Sequence, residues 1–389
     1  MVIEKIELNH FRNYEQLSFE PHEGVNLFFG KNGSGKTNLL EAIHYCALGK
    51  SHRVSQDSPV IYSGERVGSC NVTVHGKWGR NEIGVRLQPG DSGGKSVYID
   101  RKKVKKLSEM MGVLRCVIFS PEDLDLIKEG PAVRRRFLDM MISQISRSYF
   151  IALQQYRVAM EQRNAILRTS KMLMQSPDPM IEDFEKAMSE YASTIFRERK
   201  KITEMMGEES FPIYREISGK KDEIFQIQYH SFVKKEEDLN EYNRILKENR
   251  EDDQKQGITS VGPHRDDLHL TLNRKSMKMY ASQGQMRTGA LTLKLAQLKI
   301  LTKISGESPI LLLDDVMSEL DLQRRMNLLQ EIGTIQTFIT FSDEGDLDAS
   351  QGYRTYAVSQ SDGRARIQEI KSGPETVKTL LCEPDFSYD

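Results

Sequence analysis

Short runs in which apolar and polar residues alternate dominate the first hundred positions of the chain. They include Ile3–Leu8, Asn71–His75 and Glu82–Leu87, and this period of two predicts β-strands. The apolar run Val25–Phe29 is also typical of a strand. We therefore expect a strand-rich N-terminal region.

The spacing becomes helical after a further apolar run, Leu114–Phe119. Between positions 149 and 167, apolar and aromatic residues recur every three or four positions, which predicts a long amphipathic helix. A loop at Ser176–Pro179 interrupts it, and the same spacing returns from position 181 to 205. We expect two antiparallel helices whose apolar and aromatic residues serve packing only.

The charged stretch Lys234–Gln256 predicts a solvated helix followed by a linker. Strands and helices alternate after it, with predicted strands at Leu268–Leu272 and Thr337–Phe341. The pattern thus predicts an α/β fold in two parts. A nucleotide-binding head would comprise residues 1–119 and 256–389, and an inserted helical arm would comprise residues 120–255.

The composition is that of a globular protein, with 38% hydrophobic residues among 389 and a net charge of −1. We find neither the roughly 20 consecutive apolar residues of a membrane helix nor a signal peptide, so we expect a cytoplasmic protein. The spacing of the cysteines favours reduced, mostly buried thiols over a zinc site or a disulfide framework; these are Cys46, Cys70, Cys116 and Cys382.

Two basic clusters stand out against the near-zero net charge. One follows the predicted strand Ser96–Asp100, and the other, Arg134–Arg136, lies in a predicted helix after Pro131. Each is either a solvated face or a set of phosphate contacts to DNA. We assign candidate DNA contacts to the first cluster, which contains Arg101, Lys102, Lys103, Lys105 and Lys106.

The octapeptide Gly30–Thr37 has the spacing of a phosphate-binding P-loop and follows a predicted strand. A glycine-rich turn that opens a helix directs backbone N–H groups and the positive helix end at a triphosphate. Lys36 would reach the β- and γ-phosphates of ATP, and the Thr37 hydroxyl would hold Mg²⁺. The predicted phosphate cradle contains Gly30, Lys31, Asn32, Gly33, Ser34, Gly35, Lys36, Thr37 and Asn38.

The apolar run Pro309–Leu313 ends in two carboxylates and has the Walker B pattern. We assign Asp314 to the Mg²⁺ ion and Asp315 to the orientation or deprotonation of the attacking water. A pair of surface aspartates is the alternative. It is disfavoured because carboxylates at the end of a buried strand are costly unless cations lie nearby.

The segment Tyr280–Arg287 resembles the signature motif of ABC-type ATPases. Its Ser282, Gly284 and Gln285 precede or open a predicted helix, where a hydroxyl and backbone N–H groups can contact phosphate. The resemblance implies that a second protomer completes the site in trans. It also implies that Asp321, after Walker B, belongs to a D-loop.

Motifs spread along nearly the whole chain resemble the RecF family of bacterial recombination mediators. They include Phe11–Tyr14, Ser51–Arg53, Phe119–Leu124, Gly262–Asp267, Ser282–Gln285 and Leu311–Asp321. This resemblance implies an ABC/SMC-type ATPase head with a short coiled-coil-like arm. It further implies ATP binding, a homodimer formed on duplex DNA or at a single/double-strand junction, and cooperation with RecR in loading a recombinase at gaps.

Some positions depart from the wider superfamily. Asp315 stands where transporter ATPases usually have glutamate, which suggests slow hydrolysis and a weak, DNA-stimulated ATPase used as a switch. The usual switch histidine and Q-loop glutamine are also missing, the latter near Ser120–Glu122. His264 lacks other ligands at metal-binding spacing, so we expect a structural or phosphate-facing role.

Two other functions remain open. An ABC transporter subunit is disfavoured by the nearly 250 residues between the P-loop and the signature motif. A chromosome-organising SMC-like protein would need coiled-coil arms of hundreds of residues, whereas about 30 residues per helix span only some 45 Å.

Overall fold

The computed structural model of the chain describes residues 1–54, 56–88, 94–231, 233, 239–319, 328, 333, 335–341, 351–361 and 363–374. The chain divides into two compact units. We call Met1–Leu124, Pro212–Lys221 and Arg287–Asp389 the head unit, and Asp125–Phe211 and Asp222–Met286 the arm unit.

The strands in chain order are β1 Val2–Phe11, β2 Tyr14–Phe19, β3 Val25–Phe29, β4 Gly68–Gly76, β5 Gly79–Leu87, β6 Lys95–Ile99, β7 Lys102–Lys103, β8 Cys116–Phe119, β9 Phe225–His230, β10 Asp267–Leu272, β11 Lys275–Ser276, β12 Ile310–Leu313, β13 Thr337–Phe341, β14 Gln351–Ser361 and β15 Arg364–Pro374. Every strand predicted from the apolar and polar pattern is confirmed. The helices are α1 Lys36–Leu48, α2 Asp125–Lys128, α3 Pro131–Ser143, α4 Arg147–Leu173, α5 Ile181–Ser218, α6 Leu239–Glu248, α7 Arg250–Gln256, α8 Met277–Tyr280, α9 Gln283–Ser305 and α10 Val316–Glu319.

One sheet of the head unit has the strand order β15-β14-β3-β13-β12-β8. Strands β14, β3, β13, β12 and β8 run parallel, and β15 is antiparallel to β14 at the edge. All residues of β3, β8, β12 and β13 are buried. This explains why they are mainly apolar and do not alternate, because a parallel sheet is covered on both faces.

A second sheet of the head unit is antiparallel, with the order β2-β1-β4-β5-β6-β7. Its strands alternate because only one face is fully buried. In β1, for example, Ile6 and Leu8 are buried while Asn9 is exposed. The turn between β1 and β2 contains Arg12 and Asn13, which contribute to the site described below.

In the arm unit, α4 and α5 are antiparallel, as predicted. Arg199 of α5 bonds Tyr149 near the start of α4 at 2.9 Å, and Glu185 near the start of α5 accepts from Arg163 at 3.1 Å. The prediction that the aromatic residues serve packing only is wrong, because the Tyr149 and Tyr156 hydroxyls join buried polar networks.

The predicted linker before residue 256 is also wrong, since residues 250–256 form α7. Asp253 in that helix is fully buried and accepts from Arg163 Nη1 at 2.7 Å. Residues 234–238 of the charged stretch lie outside the described part of the chain.

The arm unit extends to Met286, so residues 256–286, which the sequence pattern assigned to the head, belong to it. Strand pairing is one reason: β10 pairs with β9 and β11 in a three-stranded sheet, and all three strands lie in this unit. Residues 120–124 and 212–221, expected in the arm, belong to the head unit.

Candidate nucleotide-binding site

The loop between β3 and α1 has the backbone that close approach to phosphates requires. Gly33 and Gly35 have φ angles of +83° and +118°, a region that favours glycine. At Gly30, a Cβ atom would lie 2.0 Å from the Val358 carbonyl oxygen of β14, so no side chain fits there. The α1 N-cap is Gly35, which has no side chain to accept the first N–H groups. These N–H groups form a ready anion site at the positive end of the helix.

The contacts of two P-loop side chains, Lys36 and Ser34, indicate whether the loop fits a triphosphate. The Lys36 ammonium is buried and donates to the backbone oxygens of Gly30 at 2.5 Å and Lys31 at 3.3 Å. The Ser34 hydroxyl is buried and has no hydrogen-bond partner among the described residues. A buried hydroxyl without a partner is costly, and a phosphate oxygen above the loop would satisfy it. The loop therefore fits a nucleotide phosphate.

The predicted metal-side residues lie together. Asp314 Oδ1 accepts from the Thr37 hydroxyl at 2.8 Å and from the Thr340 hydroxyl at 2.9 Å. Burial raises the pKa of Asp314, the two hydroxyls lower it, and the charges of Asp315 and Glu122 raise it further. A hydroxyl beside a desolvated carboxylate is the hard oxygen donor set that Mg²⁺ prefers. These residues therefore fit a magnesium ion.

Asp315 leaves the end of β12 in the left-handed region, with a φ angle of +52°. Its backbone N–H donates to the Thr340 hydroxyl at 2.9 Å, which fixes this conformation. Non-glycine residues adopt it infrequently, and such positions cluster at functional sites. The water-activating role of Asp315 stays a prediction.

Glu122 is an acidic neighbour of this site that the sequence did not reveal. The segment Ser120–Glu122 follows β8, which lies next to β12, and the Asp314 N–H donates to the Phe119 carbonyl at 2.9 Å. Glu122 therefore follows a parallel strand at the same edge of the sheet as Asp314. This shared edge, where ligands of open α/β sheets bind, is the signal that could have identified it.

The β1–β2 turn supports the P-loop from outside. Asn13 Nδ2 donates to the Ser34 carbonyl at 3.1 Å, and the Tyr14 hydroxyl donates to the Gly35 carbonyl at 3.1 Å. Asn13 also accepts from Asn38 of the predicted cradle at 2.8 Å. Asn13 and Tyr14 therefore hold the backbone of the P-loop in place.

A buried carboxylate, Glu41 of α1, connects this turn to the loop after α1. Both oxygens accept from Arg12, at 2.8 and 2.6 Å, and the Ser51 hydroxyl donates to one of them. Burial alone would raise the pKa of Glu41, but the bonds from Arg12 and Ser51 outweigh it and lower the pKa. Arg53 lies on the same cluster, 3.8 Å from Glu41 and 43% exposed. Its partly exposed guanidinium makes Arg53 a candidate contact to an anion.

The signature segment begins α9 in the arm unit. Ser282 Oγ accepts the N–H of Gln285 at 3.3 Å, and Gln285 Oε1 accepts the N–H of Ser282 at 2.8 Å. This reciprocal pair is a capping box. It uses a lone pair of the serine oxygen, which leaves the hydroxyl proton available for donation. Ser282 is exposed, and Gly284 follows it in the first turn of the helix.

Arg101–Lys106 lies on the surface of the head unit around the β6–β7 turn. The Arg101 side chain is 87% exposed and lies 3.2 Å from Glu82. The four lysines of the cluster, at positions 102, 103, 105 and 106, are also exposed. These exposed cations are accessible to a large polyanion.

Two arginines of the second basic cluster, Arg134 and Arg135, bind within the arm unit, whereas Arg136 is exposed. Arg134 is buried and binds both oxygens of Asp267, at 2.8 and 2.9 Å, and Arg135 donates to the Asp266 carbonyl at 2.7 Å. These arginines hold α3 against Asp266 and the start of β10. Neither of the two alternatives left open for this cluster describes the buried Arg134.

His264 is part of the buried network of the arm unit. Its Nε2 lies 3.0 Å from the Thr259 carbonyl, which can only accept, so this nitrogen carries the proton. Its Nδ1 then accepts from the Tyr156 hydroxyl at 2.8 Å. Burial lowers the pKa of His264 to about 4. Of the two predicted roles, the contacts support the structural one.

Asp321 of the predicted D-loop lies outside the described residues, as does Cys382. The other three cysteines, Cys46, Cys70 and Cys116, are free and buried, as predicted. In the described part of the chain, no helix is long and apolar enough to cross a membrane.

Comparison with known proteins decides the family. The family described as RecF/RecN/SMC N terminal domain matches residues 2–363. The DNA replication and repair protein RecF of Clostridium novyi is 39% identical over 341 residues, which cover 87% of this chain and 92% of that protein. RecF of Clostridium botulinum Eklund 17B is 40% identical over 350 residues, covering 90% and 95%. This chain belongs to the RecF family.

Solved structures agree with the assignment to the RecF family. Structures of the recombination mediator RecF of the RecFOR pathway, one with ATPrS and one with ATP, give TM-scores of 0.85 and 0.86 at 34% and 33% identity. Each covers 95% of this chain and 98% of the other. The Smc head of Pyrococcus furiosus gives a TM-score of 0.54 at 17% identity, covering 95% and 96%, which is a likeness of fold. The ABC/SMC-type head predicted for this RecF-family chain is confirmed.

Proposed function

We propose that this chain is an ATP-switched DNA-binding protein of replication and recombinational repair. The observation that carries the proposal is the hydrogen bond of 2.8 Å between Thr37 and Asp314, beside a P-loop whose Ser34 hydroxyl has no hydrogen-bond partner in the described part of the chain. The names of its relatives, DNA replication and repair protein and recombination mediator, support the pathway.

ATP binding is assigned to the P-loop cradle. The backbone N–H groups from Gly33 to Thr37 would hold the phosphate oxygens, and Lys36 would exchange its bonds to the loop carbonyls for the β- and γ-phosphates. Thr37 and Asp314 would hold Mg²⁺, which neutralises charge on those phosphates when bound. Asp315 would orient and deprotonate the attacking water.

The switch depends on a second protomer. The Ser282 hydroxyl of one protomer would cap the γ-phosphate bound by its partner, so ATP would bind the closed homodimer more tightly than the open one. A ligand with this differential affinity shifts the equilibrium towards closure. ADP lacks the γ-phosphate and would release the dimer, so slow hydrolysis acts as the release step.

DNA would bind the closed dimer through exposed cations, including Arg101–Lys106, which are open to a polyanion. By analogy with its family, the dimer would act with RecR to help load a recombinase at gaps. An SMC-like chromosome organiser is less well supported, because α4 and α5 have only 27 and 38 residues.

The test is the oligomeric state by light scattering with ATP, ADP or no nucleotide, each with and without DNA. We expect dimers with ATP, stabilised further by DNA, and monomers with ADP or without nucleotide. An oligomeric state independent of nucleotide under all conditions would overturn the proposal.

A further inference from the structure

The only tryptophan of the chain, Trp78, lies in the turn between β4 and β5. It is 81% exposed, whereas tryptophan is highly buried on average. Its described ring contact is the Lys77 ammonium, 5.5 Å from the ring centroid. The indole therefore offers an aromatic surface to solvent beside a cation.

The basic β6–β7 turn lies at the same end of the antiparallel sheet. Asp100 and Arg101 form this turn, with φ angles of +50° and +64°. The Asp100 N–H donates to the Glu82 carbonyl of β5 at 2.8 Å. Glu82 is only three residues beyond Gly79, about 10 Å along the strand. The two turns thus lie at the same end of the sheet. Lys102 is two strands across from Ile83 of β5, about 10 Å across the sheet and about 13 Å along it from Gly79.

The charges at this end of the sheet do not cancel. The carboxylates already have partners: Glu4 accepts from Arg80, Glu82 from Arg101, Asp100 from Asn81 and the Glu82 N–H, and Glu307 from Arg115. By contrast, Lys102 and Lys103 are exposed and form no ion pair with any described residue. Asp100 keeps its negative charge because its partners are neutral, but Lys102 and Lys103 outnumber it at this end of the sheet.

We propose that Trp78, with Lys77 beside its ring, is a stacking surface for an unpaired base, and that Lys102 and Lys103 bind phosphates further along the same strand. Single-stranded nucleic acid is bound without sequence preference by this combination of an aromatic face with nearby cations. Bases inside a duplex are stacked on each other and do not offer their faces. The ligand is thus an unpaired strand, such as a single-stranded tail next to a duplex. This inference rests on the proposed function and adds the residues of the head unit that would contact the unpaired strand.

The first experiment uses intrinsic fluorescence, because all tryptophan emission of the chain comes from Trp78. We expect oligo(dT) to quench this emission, with an affinity that falls as salt rises. The Lys102→Ala/Lys103→Ala variant should require more oligo(dT) and show a shallower salt dependence. Emission unchanged by oligo(dT), or quenched only by poly-glutamate as a mimic of an acidic protein, would overturn the proposal.

The second experiment compares a blunt duplex with the same duplex carrying an oligo(dT) tail, both with ATP. We expect Trp78→Ala to weaken binding of the tailed duplex by roughly 5- to 100-fold, the range for one base stacked on an aromatic ring. Binding of the blunt duplex should be unchanged, and Trp78→Phe should retain most of the preference. Met172→Ala, at an arm-unit residue that is 76% exposed, is the control for loss of exposed apolar surface.

These readouts separate the inference from the proposed function. Equal affinities of Trp78→Ala and wild type for the tailed duplex overturn the inference and leave the ATP-dependent switch intact. An equal loss on both DNAs also overturns it, because that result indicates a general contact. If wild type binds the blunt duplex equally well with and without ATP, that result counts against the proposed switch. The difference in affinity between the tailed and the blunt duplex can still be measured in that case and still tests the role of Trp78.

Discussion

The Thr37 hydroxyl donates to the Asp314 carboxylate across 2.8 Å, although 277 positions separate the two residues in sequence. They meet because β3 and β12 both pair with β13, which places the P-loop and the Walker B carboxylate at one edge of a parallel sheet. Substitutions at this edge should affect ATP binding and hydrolysis, and substitutions at the other assigned surfaces should affect dimer closure and DNA binding.

Lys36→Ala should weaken ATP binding and abolish dimer closure. The ammonium is the mobile cation in a site otherwise built from backbone dipoles, and a charged hydrogen bond contributes about 1.5–3 kcal/mol. This corresponds to roughly 10- to 150-fold in the ATP dissociation constant, measured by calorimetry. The matched control is Lys275→Ala, which removes an exposed lysine of the arm unit that has no assigned role in ATP binding. Wild-type affinity together with wild-type dimerisation in Lys36→Ala would contradict the assignment.

Asp315→Asn should retain ATP and slow its hydrolysis. Asp314 would still hold the metal ion, but the attacking water would lose its base, which typically costs 10²- to 10⁴-fold in rate. Phosphate release at saturating ATP measures the rate, and calorimetry measures the affinity. The asparagine is nearly isosteric and keeps the backbone bond to Thr340. A turnover number equal to that of wild type removes Asp315 from the catalytic role.

Ser282→Arg should leave ATP binding by the monomer intact and prevent the ATP-dependent dimer. A bulky cation at this helix start would enter the opposing phosphate site. Gln283→Arg, at the next exposed residue, is the control for added charge. Sedimentation with ATP measures the dimer.

A mixture of the Ser282→Arg and Lys36→Ala chains tests the trans arrangement. At most one of the two composite sites can form in a mixed dimer, so partial recovery of the ATP-dependent dimer is expected. If both variants instead lose ATP binding by the monomer to the same extent, the arrangement in trans is wrong.

Replacement of Lys102, Lys103, Lys105 and Lys106 by alanine should flatten the salt dependence of binding to duplex DNA. Each phosphate contact contributes about −0.9 to the slope of log K against log salt, so the slope should change by a few units. The control replaces four exposed arm-unit lysines, at positions 171, 186, 201 and 247. If the variant and wild type show equal salt slopes with ATP present, the cluster is a solvated face and does not contact DNA.

His264→Gln should reduce the loss of stability on acidification. The folded-state pKa of His264 is lowered from 6.5 to about 4, so the neutral ring stabilises the fold fully above pH 6.5. This contribution is lost as the pH falls from 6.5 towards 4, because the unfolded chain takes up the proton first. At pH 5 the loss amounts to about 2 kcal/mol. Urea unfolding at pH 7.5 and pH 5 measures it, and an identical loss in the variant would contradict the assignment.

Local sequence was sufficient for the P-loop and the Walker B strand, because their chemistry is tied to short spacings on single elements. Gly33 and Gly35 are required by their positive φ angles, and Asp314 by its place after an apolar strand, so each can be recognised from residues close by in the sequence. The alternating strands were predictable for the same reason, since each buries one face of its own sequence.

Long-range pairing was not predictable from the pattern. Arg134 and Asp253 look like solvated charges in sequence, yet both are buried against partners 133 and 90 positions away. Buried charges are tolerated only with such partners, and nothing within a local window identifies them. Glu122 was missed similarly, because its proximity to Asp314 follows from the neighbouring positions of β8 and β12 in the sheet.

The place of β3 between β13 and β14 has a consequence for the order of events during synthesis. The nascent chain carries Val25–Phe29 and the P-loop out of the ribosome early, but both neighbouring strands of β3 emerge more than 300 residues later. The arm unit ends at Met286, so its whole sequence emerges before either neighbour. The parallel sheet of the head can therefore be completed only when the last tenth of the chain has emerged, and β3, apolar except for Asn26, is an early-exposed segment for a chaperone to shield.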